Sequence, residues 1–292
     1  SMIKDWRVGA LPGEAFTVKG RDVEEGLEAA KLLESYGYDA LDTDVGTYDA
    51  WWWNHPPMYQ KKGLYREYCK MVKEVVSIPV FCAGRMDDPD MALEAIENGE
   101  CDVIDLGRPL LADPDYCNKL RSGNLAQIRP CISCQEGCMG RVAAYSLINC
   151  AVNPQAARER VTAYEPILKK KKVMIVGGGA PEFKEDDLAL AKWYTNELKR
   201  LEVDVHLNEK ATSEMIKASG CDTVIIATGS TPKVFSLGDD AHVYTAAQVL
   251  LKEKDCGETT VVIGGGLVGC ETALWLAQHG KKVTIVEALD KL

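Results

Sequence analysis

The sequence has no apolar run as long as the roughly 20 residues that a helix needs to cross a bilayer, and its start, SMIKDWRV, has no apolar signal-peptide core. It also lacks an excess of positive charge, since the formal net charge is −10 and the pI is near 5.1. Nucleic-acid phosphates are bound by clustered lysine and arginine. We therefore expect a cytoplasmic protein that binds neither nucleic acid nor membrane.

Low-complexity segments are absent too, and the only internal similarity is between two glycine-rich turns. The 292 residues, with 46% hydrophobic and 27% charged residues, are typical of a globular protein of two or three domains. What the sequence has in abundance is cysteine, with 11 residues. Disulfides rarely persist in the cytosol, so clustered cysteines there indicate metal binding or catalysis.

Helical and strand patterns alternate between residues 23 and 128. The strand patterns are YDALDTDVG, IPVFCAG and CDVIDLG, and the helical patterns are VEEGLEAAKLLESYG, residues 65–76, DPDMALEAIENG and LADPDYCNKLRSG. This order predicts parallel strands joined by helical crossovers. A closed TIM (β/α)8 barrel needs eight strands, so three strands predict its C-terminal part.

A second alternation begins at residue 173 and predicts incomplete Rossmann-like dinucleotide-binding domains in an α/β fold. Its strand patterns are KVMIVGGGA, VDVHLN, CDTVIIATGS and the two strands that flank the helix after GGGLVG; DLALAKWYTNELKRL is a further helix. We predict four parts: a barrel part at 1–128, a cysteine-rich loop and linker at 129–171, a partial dinucleotide domain at 172–258 and the start of another at 259–292.

The cysteine-rich loop has the spacing C-x2-C-x3-C-x11-C, formed by Cys131, Cys134, Cys138 and Cys150. Four thiolates suit either tetrahedral zinc or an iron–sulfur cluster. Structural zinc sites usually pair two C-x2-C knuckles or include histidine, whereas here three cysteines lie within eight residues, with glycines between them. We favour a four-iron cluster; zinc and unligated cysteines are the alternatives.

The segment GGGLVG, residues 264–269, follows an apolar strand and opens a helix. Gly264 permits the tight turn, Gly266 lets the backbone approach a pyrophosphate, and Gly269 lets helix and strand pack closely. Glu287 ends the next strand, 23 positions after Gly264, where a carboxylate would bind a ribose 2′-hydroxyl and repel a 2′-phosphate. The pattern favours NADH over NADPH; a structural turn is the alternative.

The earlier turn, Gly177 to Gly179, also follows an apolar strand, as an FAD site requires. The pattern then breaks, because PEFKEDD follows Ala180 with no third glycine and no apolar helix. The turn ATGS, which contains Thr228 and Gly229, supports the FAD reading, since two-dinucleotide reductases carry such a turn near the flavin. An ordinary strand-end turn is the alternative.

Two Gly-Arg pairs end strands of the barrel part, Gly84-Arg85 and Gly107-Arg108. Phosphate sites in such barrels lie at the carboxyl ends of the last strands, so we predict that these residues hold the phosphate of FMN; surface ion pairs are the alternative. His55, in the aromatic loop WWWNHPPMY, is a candidate donor to a substrate oxygen or a structural histidine. Trp51 to Trp53 are expected to serve packing.

The segments DVGTYDAWWWNHPPMYQKKG, AGRMDDP, GRPLLADPD and RPCISCQEGCMGR…NCAVNP together resemble the clostridial 2-enoate reductases. That family belongs with 2,4-dienoyl-CoA reductase and trimethylamine dehydrogenase in the old yellow enzyme-like group, and the resemblance covers nearly all of the chain. The resemblance implies a 4Fe-4S cluster on Cys131, Cys134, Cys138 and Cys150, FMN phosphate at Gly84, Arg85, Gly107 and Arg108, NADH at Gly264, Gly266, Gly269 and Glu287, and FAD at Gly177, Gly179, Thr228 and Gly229.

The resemblance further implies an enzyme that passes electrons from NADH through FAD and the cluster to FMN, which reduces the activated C=C bond of a 2-enoate or enoyl thioester. There are two alternatives. One is an amine dehydrogenase of the trimethylamine dehydrogenase type, and the other is a non-catalytic module for electron transfer or one in which the metal only stabilises the loop. The family's first barrel strands, with a tyrosine proton donor, would precede Met2, and its FAD helix should follow Gly179. We therefore expect an incomplete, inactive fragment, compatible with a homo-oligomer.

Overall fold

A computed structural model of the chain describes residues 22–46, 51–164, 169–176, 185–229 and 241–290. The described residues fall into two units. The first unit comprises residues up to 164 together with 192–202, and the second unit comprises 169–191 and 203–290.

The first unit carries three short strands and seven short helices. They are α1 (Val23–Ser35), β1 (Leu41–Thr43), α2 (Trp51–Asn54), α3 (Arg66–Lys73), β2 (Val80–Cys82), α4 (Pro89–Glu97), β3 (Val103–Ile104), α5 (Arg108–Ala112), α6 (Tyr116–Arg121) and α7 (Met139–Ala143), with a 3₁₀ turn at Leu125–Gln127. The C-terminal part of the long helix α8 (Glu185–Arg200) also belongs to this unit.

The strands of the first unit form one parallel sheet in the order β1-β2-β3. Val80 and Cys82 of the central strand are fully buried, and α3 covers them with Tyr68 and Val72. Consecutive parallel strands require a crossover, which α3 provides between β1 and β2 and α4 between β2 and β3. The predicted parallel arrangement is confirmed for these three strands.

Two local features determine where helices α4, α5 and α6 begin or end. The Asp88 carboxylate accepts hydrogen bonds from the N–H groups of Asp90 and Met91 at 3.0 and 3.1 Å, so that α4 begins at the predicted Asp-Pro pair. The predicted helix over LADPDYCNKLRSG was wrong in its extent. Asp113 is extended because proline follows it, so α5 ends at Ala112 and α6 starts at Tyr116.

The second unit contains two separate pairs of parallel strands, β4 with β5 and β6 with β7. Its elements are β4 (Val173–Val176), the start of α8, α9 (Ser213–Ala218), β5 (Thr223–Ile226), α10 (Ala246–Leu250), β6 (Thr259–Ile263), α11 (Leu267–Gln278) and β7 (Lys282–Val286). Parallel pairing across a helix, as in β6-α11-β7, is the predicted strand–turn–helix–strand unit, and it confirms the α/β class for this region.

The predicted strand VDVHLN was wrong, because residues 203–208 form neither helix nor strand. The side chains of Val205 and Leu207 are 51% and 79% exposed. An alternating apolar pattern becomes a strand only when a neighbouring strand takes its hydrogen bonds and a core covers one face. Among the described residues no strand pairs with this segment.

A helix must be both long and apolar to cross a bilayer. In the part of the chain that the structure describes, no helix combines the length and the apolar content needed to cross one.

Candidate functional site

The four cysteines predicted as metal ligands line one pocket in the first unit, together with Arg108. All four are free thiols and partly exposed. Cys150, distant in sequence, reaches this pocket because the N–H of Asn149 donates to the carbonyl of Gly137 at 2.7 Å. A Cβ at position 137 would lie 2.8 Å from the backbone oxygen of Asn149. Glycine at this position therefore permits the close approach that completes the set of four.

The backbone around Cys134 is tightly wound. Ser133 and Gln135, its two neighbours, have left-handed φ angles of 50° and 61°, which non-glycine residues adopt only where the surrounding structure fixes them. The N–H of Gly140 donates to the carbonyl of Gln135 at 2.7 Å and closes the loop ahead of α7. This winding allows three cysteines within eight residues to face the same pocket.

Burial affects the protonation of two of these thiols. Burial raises the pKa of Cys131 to about 11 and also raises the pKa of Cys134, so these thiols stay protonated until a metal displaces the proton. Among the described residues, no group of three or more histidine, cysteine or acidic side chains is close enough to hold one metal ion. Zinc and a 4Fe-4S cluster therefore both stay predictions for these four cysteines.

The first Gly-Arg pair is built into the fold. Gly84 has φ +84°, and a Cβ there would lie 2.6 Å from the ring of Tyr65. The Arg85 side chain is buried, and its Nη1 donates to the carbonyls of Pro57 and Met58 at 3.1 and 3.2 Å and to that of Gln60. The guanidinium of Arg85 thus holds the loop that follows His55.

The second Gly-Arg pair presents an unpaired donor. Arg108 is the first residue of α5 and lines the cysteine pocket. Its Nη1 is buried and has no hydrogen-bond partner among the described residues. Leaving a buried charged donor unsatisfied costs on the order of 1–3 kcal/mol or more, so the position suits an anion such as a flavin phosphate. The role of Arg108 as a phosphate ligand stays a prediction.

His55 lies directly after α2, and its ring stacks on that of Trp51 with centroids 4.4 Å apart. The N–H of His55 donates to the Trp51 carbonyl at 2.8 Å. Its Nδ1 is buried without a hydrogen-bond partner in the described part of the chain. Burial lowers the pKa of His55, and the charge of Arg108 lowers it further against the opposing effect of Asp44. The imidazole is therefore neutral near pH 7 and retains unused hydrogen-bonding capacity.

Asp44 and Tyr65 support this loop, although neither was among the residues predicted from the sequence. Asp44 follows β1 and accepts a hydrogen bond from Asn54 Nδ2 at 2.5 Å. The buried hydroxyl of Tyr65 donates to the carbonyls of Trp53 and Asn54 at 2.7 and 2.6 Å. The position of Asp44 at the carboxyl end of a barrel strand was a usable signal; for Tyr65 no signal existed. Trp53 packs against the core, as predicted.

In the second unit the glycine turn after β6 has the geometry of a phosphate loop. Gly264 has φ +106°, and Gly266 precedes α11 as its extended N-cap. A Cβ on Gly269 would overlap the carbonyl oxygen of Gly264, so only glycine allows α11 to pack this closely on the turn. The free N–H groups at the start of α11 are then available to an anion.

Glu287 closes the same turn from the end of β7. Its Oε2 accepts a hydrogen bond from the N–H of Gly265 at 2.6 Å, and its Oε1 accepts from Ala288 and Leu289 at 2.7 and 2.9 Å. These backbone donors lower the pKa of Glu287. The carboxylate is thus ionised and fixed beside the glycines, and its predicted contact with a ribose stays a prediction.

The predicted FAD residues are described only in part. Thr228 and Gly229 follow β5 and are exposed, and Gly229 has φ +73°. Gly177 and Gly179 lie outside the described residues. The FAD site therefore stays a prediction.

Comparison with known proteins finds a family match in each half of the chain. Residues 12–127 match the NADH:flavin oxidoreductase / NADH oxidase family, and residues 204–292 match the pyridine nucleotide-disulphide oxidoreductase family. The first match supports the predicted barrel part, because members of that family are TIM barrels.

Relatives match almost the whole chain. Cinnamate reductase of Clostridium sporogenes is 48% identical over 98% of this chain and 48% of its own length, and NADH oxidase of Thermoanaerobacter brockii is 36% identical over 96% of this chain and 49% of its own. A solved 2-naphthoyl-CoA reductase in complex with 2-naphthoyl-CoA superposes with a TM-score of 0.80 at 27% identity, covering 90% of this chain and 46% of that one.

The chain thus spans about half the length of the curated relatives it matches. The first of these is a 2-enoate reductase, so the resemblance found in the sequence is confirmed. The chain therefore resembles the NADH:flavin oxidoreductase / NADH oxidase family over residues 12–127 and the pyridine nucleotide-disulphide oxidoreductase family over residues 204–292.

Proposed function

We propose that this chain is part of an NADH-dependent flavin and iron–sulfur ene-reductase whose substrate is an α,β-unsaturated carboxylate or thioester. The names of two similar proteins, cinnamate reductase and 2-naphthoyl-CoA reductase, support an acid or a CoA thioester as substrate. The families matched at both ends support NADH and flavins as cofactors.

One observation in the first unit carries the proposal. Arg108 lines the cysteine pocket, and its charge lowers the pKa of both Cys131 and His55. The cysteine loop is also hydrogen-bonded to the His55 loop through Ser133 and Gln135. A redox group on the cysteines would therefore lie next to the loop that we assign to the substrate.

When bound, NADH would supply a hydride to FAD, a 4Fe-4S cluster would relay single electrons, and FMN would deliver them to the double bond. The cluster would be held by Cys131, Cys134, Cys138 and Cys150. The unpaired Nη1 of Arg108, with Gly107 and the Gly84-Arg85 turn, would hold the FMN phosphate. Gly264, Gly266, Gly269 and Glu287 would bind NADH, and Gly177, Gly179, Thr228 and Gly229 would bind FAD.

The role of His55 follows from its protonation state. A neutral imidazole donates one hydrogen bond and accepts another, so His55 can bind the substrate's carbonyl oxygen without introducing a charge. Polarising that oxygen withdraws electrons from the conjugated double bond. Stacking on Trp51 holds the ring in place for this task.

The proposal is tested on the longer natural protein, purified without oxygen and supplied with NADH and cinnamate. We expect consumption of the enoate in step with NADH oxidation, and visible absorbance that bleaches with dithionite. Cys131→Ser should reduce enoate turnover to background while an artificial electron acceptor still oxidises NADH, because that reaction needs only the dinucleotide domain. Unchanged enoate turnover in Cys131→Ser, or zinc instead of iron in the natural protein, would contradict the proposal.

A further inference from the structure

Two hydrogen bonds join the cysteine loop to the His55 loop. The side-chain amide of Gln135 donates to the backbone carbonyl of His55. The backbone N–H of Met58 donates to the carbonyl of Ser133 at 3.2 Å. Ser133 and Gln135 are the two residues that flank Cys134, so both contacts arise from the turn that carries a predicted cluster ligand.

The contact from Gln135 is the one that reaches His55 itself. Arg85 also bonds to the His55 loop, but its Nη1 donates to carbonyls that follow His55, those of Pro57 and Met58. Between α2 and the loop, the N–H of His55 donates to Trp51. The peptide groups on both sides of the His55 Cα are therefore held, one by α2 and one by Gln135.

The backbone of Gln135 supports a specific role for its side chain. Its φ of 61° is uncommon for a residue with a Cβ, and such conformations persist where the surroundings fix them. The Gly140 N–H donates to the Gln135 carbonyl and holds the residue in this conformation. The half-buried side chain is thereby directed across to the neighbouring loop instead of into solvent.

We propose that Gln135 is a positioning residue for His55: its side-chain amide fixes the backbone of His55 and thereby the imidazole that stacks on Trp51. The inference rests on the proposed function in assigning substrate binding to His55. The further point is that the cysteine loop, proposed to hold the redox group, also positions His55, the residue proposed to bind the substrate. A shift of the cysteine loop alone would then break the bond from Gln135 and weaken the positioning of His55.

The test compares Gln135→Met, which keeps the length of the side chain but removes the donor, with Gln155→Met. Gln155 makes the same kind of bond in the first unit, to the Thr162 carbonyl at 2.7 Å. The readout is the pKa of His55 in the NMR titration of the histidine ring protons, assigned with His55→Gln. Four histidines in the chain keep the spectrum simple.

We expect the His55 pKa to rise toward the ordinary value of 6.5 in Gln135→Met, because a released ring is less buried, and to stay unchanged in Gln155→Met. Arg108 and Asp44, the charged groups that act on the ring, are present in both variants. A merely structural role would lower the melting temperature without moving this pKa. A wild-type His55 pKa in folded Gln135→Met would overturn the inference.

A second variant guards against misfolding of the first. Gln135→Asn suits the left-handed backbone better, but its amide is one methylene shorter and falls short of the carbonyl, so the His55 pKa should rise here too. Enoate turnover by the longer protein separates this inference from the proposed function. If His55→Gln leaves turnover unchanged, the role of His55 in the reaction fails, while the titration still decides whether Gln135 positions it.

Discussion

At the scale of single residues, the candidate site depends on positions where a side chain is forbidden or a polar atom is left unpaired. Gly137 and Gly269 lie where a Cβ would collide with backbone, and the buried nitrogens of His55 and Arg108 have no partner among the described residues. The first kind of position fixes geometry. The second kind indicates where a ligand would complete the structure.

The close approach at Gly269 gives the first prediction. Gly269→Ala would push α11 away from the Gly264 carbonyl, and we expect loss of NADH affinity together with a destabilisation of about 1–3 kcal/mol. Fluorescence titration with NADH and denaturant unfolding measure the two effects. Gly257→Ala, where a Cβ meets no atom within 4 Å, is the control and should behave like the natural chain. Equal NADH affinity in the two variants would contradict this assignment.

The lowered pKa of His55 gives a pH dependence with a definite sign. The unfolded chain binds a proton at its ordinary pKa of 6.5 more readily than the folded chain does. The stability is therefore complete above pH 6.5 and falls as the pH drops below it toward the folded pKa. His55→Gln should flatten this acid-side loss in denaturant unfolding measured between pH 7 and pH 5, whereas substitution of the exposed His206 should not.

At the scale of elements, short helices and turns carry the candidate site residues, and the longer helices and the strands mainly support them. The sheet β1-β2-β3 presents its carboxyl ends to Asp44, Gly84-Arg85 and Gly107-Arg108. The cysteine loop is bound to this edge through α5, because Asn153 Nδ2 donates to the Leu111 carbonyl at 2.8 Å. Cysteines and Gly-Arg turns therefore meet at one end of the sheet.

The cysteine loop yields a prediction about its own assembly. In Gly137→Ala the new Cβ would displace the Asn149 backbone, so Cys150 would leave the pocket and we expect a loss of bound iron. Gly140→Ala is the matched control: its Cβ would lie 3.3 Å from the Gln135 carbonyl, and alanine favours the helix α7 that contains it. Iron and sulfide stoichiometry after reconstitution measures both. Full iron content in Gly137→Ala would refute the predicted role of Cys150.

At the scale of the whole molecule, the two units differ in how well their sheets are covered. Val80 and Cys82 of β2 are fully buried, whereas Ile226 of β5 and Ile263 of β6 are 75% and 65% exposed. Two-stranded sheets are marginal by themselves. The chain spans about half of the relatives it matches, and in the longer protein we propose that further strands cover these faces.

Uneven coverage predicts uneven protection from hydrogen exchange. In this chain alone, amides of β4 to β7 should exchange faster than those of β2, because local opening is easiest where few apolar contacts are lost. Mass spectrometry of deuterated peptides measures the rates. In the longer protein the difference should shrink, and slower exchange in β4 to β7 than in β2 of this chain would contradict the prediction.

The sequence by itself determined the features that depend on neighbours along the chain: α4 starting at Asp88-Pro89, the β6-α11-β7 unit with its glycine turn, and the parallel strands of the first unit. It also predicted a metal site from cysteine spacing, because three of the four predicted ligands are local, and that site stays a prediction. Hydrophobic period and capping chemistry act within a few residues, which is why these predictions needed no fold.

Only the tertiary structure decided how distant segments meet. Three contacts join segments that are separated in the sequence. Asn149 brings Cys150 to the pocket. Arg85 donates to the His55 loop, and Gln135 donates to His55 itself. Residues 203–208 show the converse, since an alternating pattern formed no strand where no partner strand lay beside it. Hydrogen bonds across space depend on which backbones approach, and no local pattern encodes that approach.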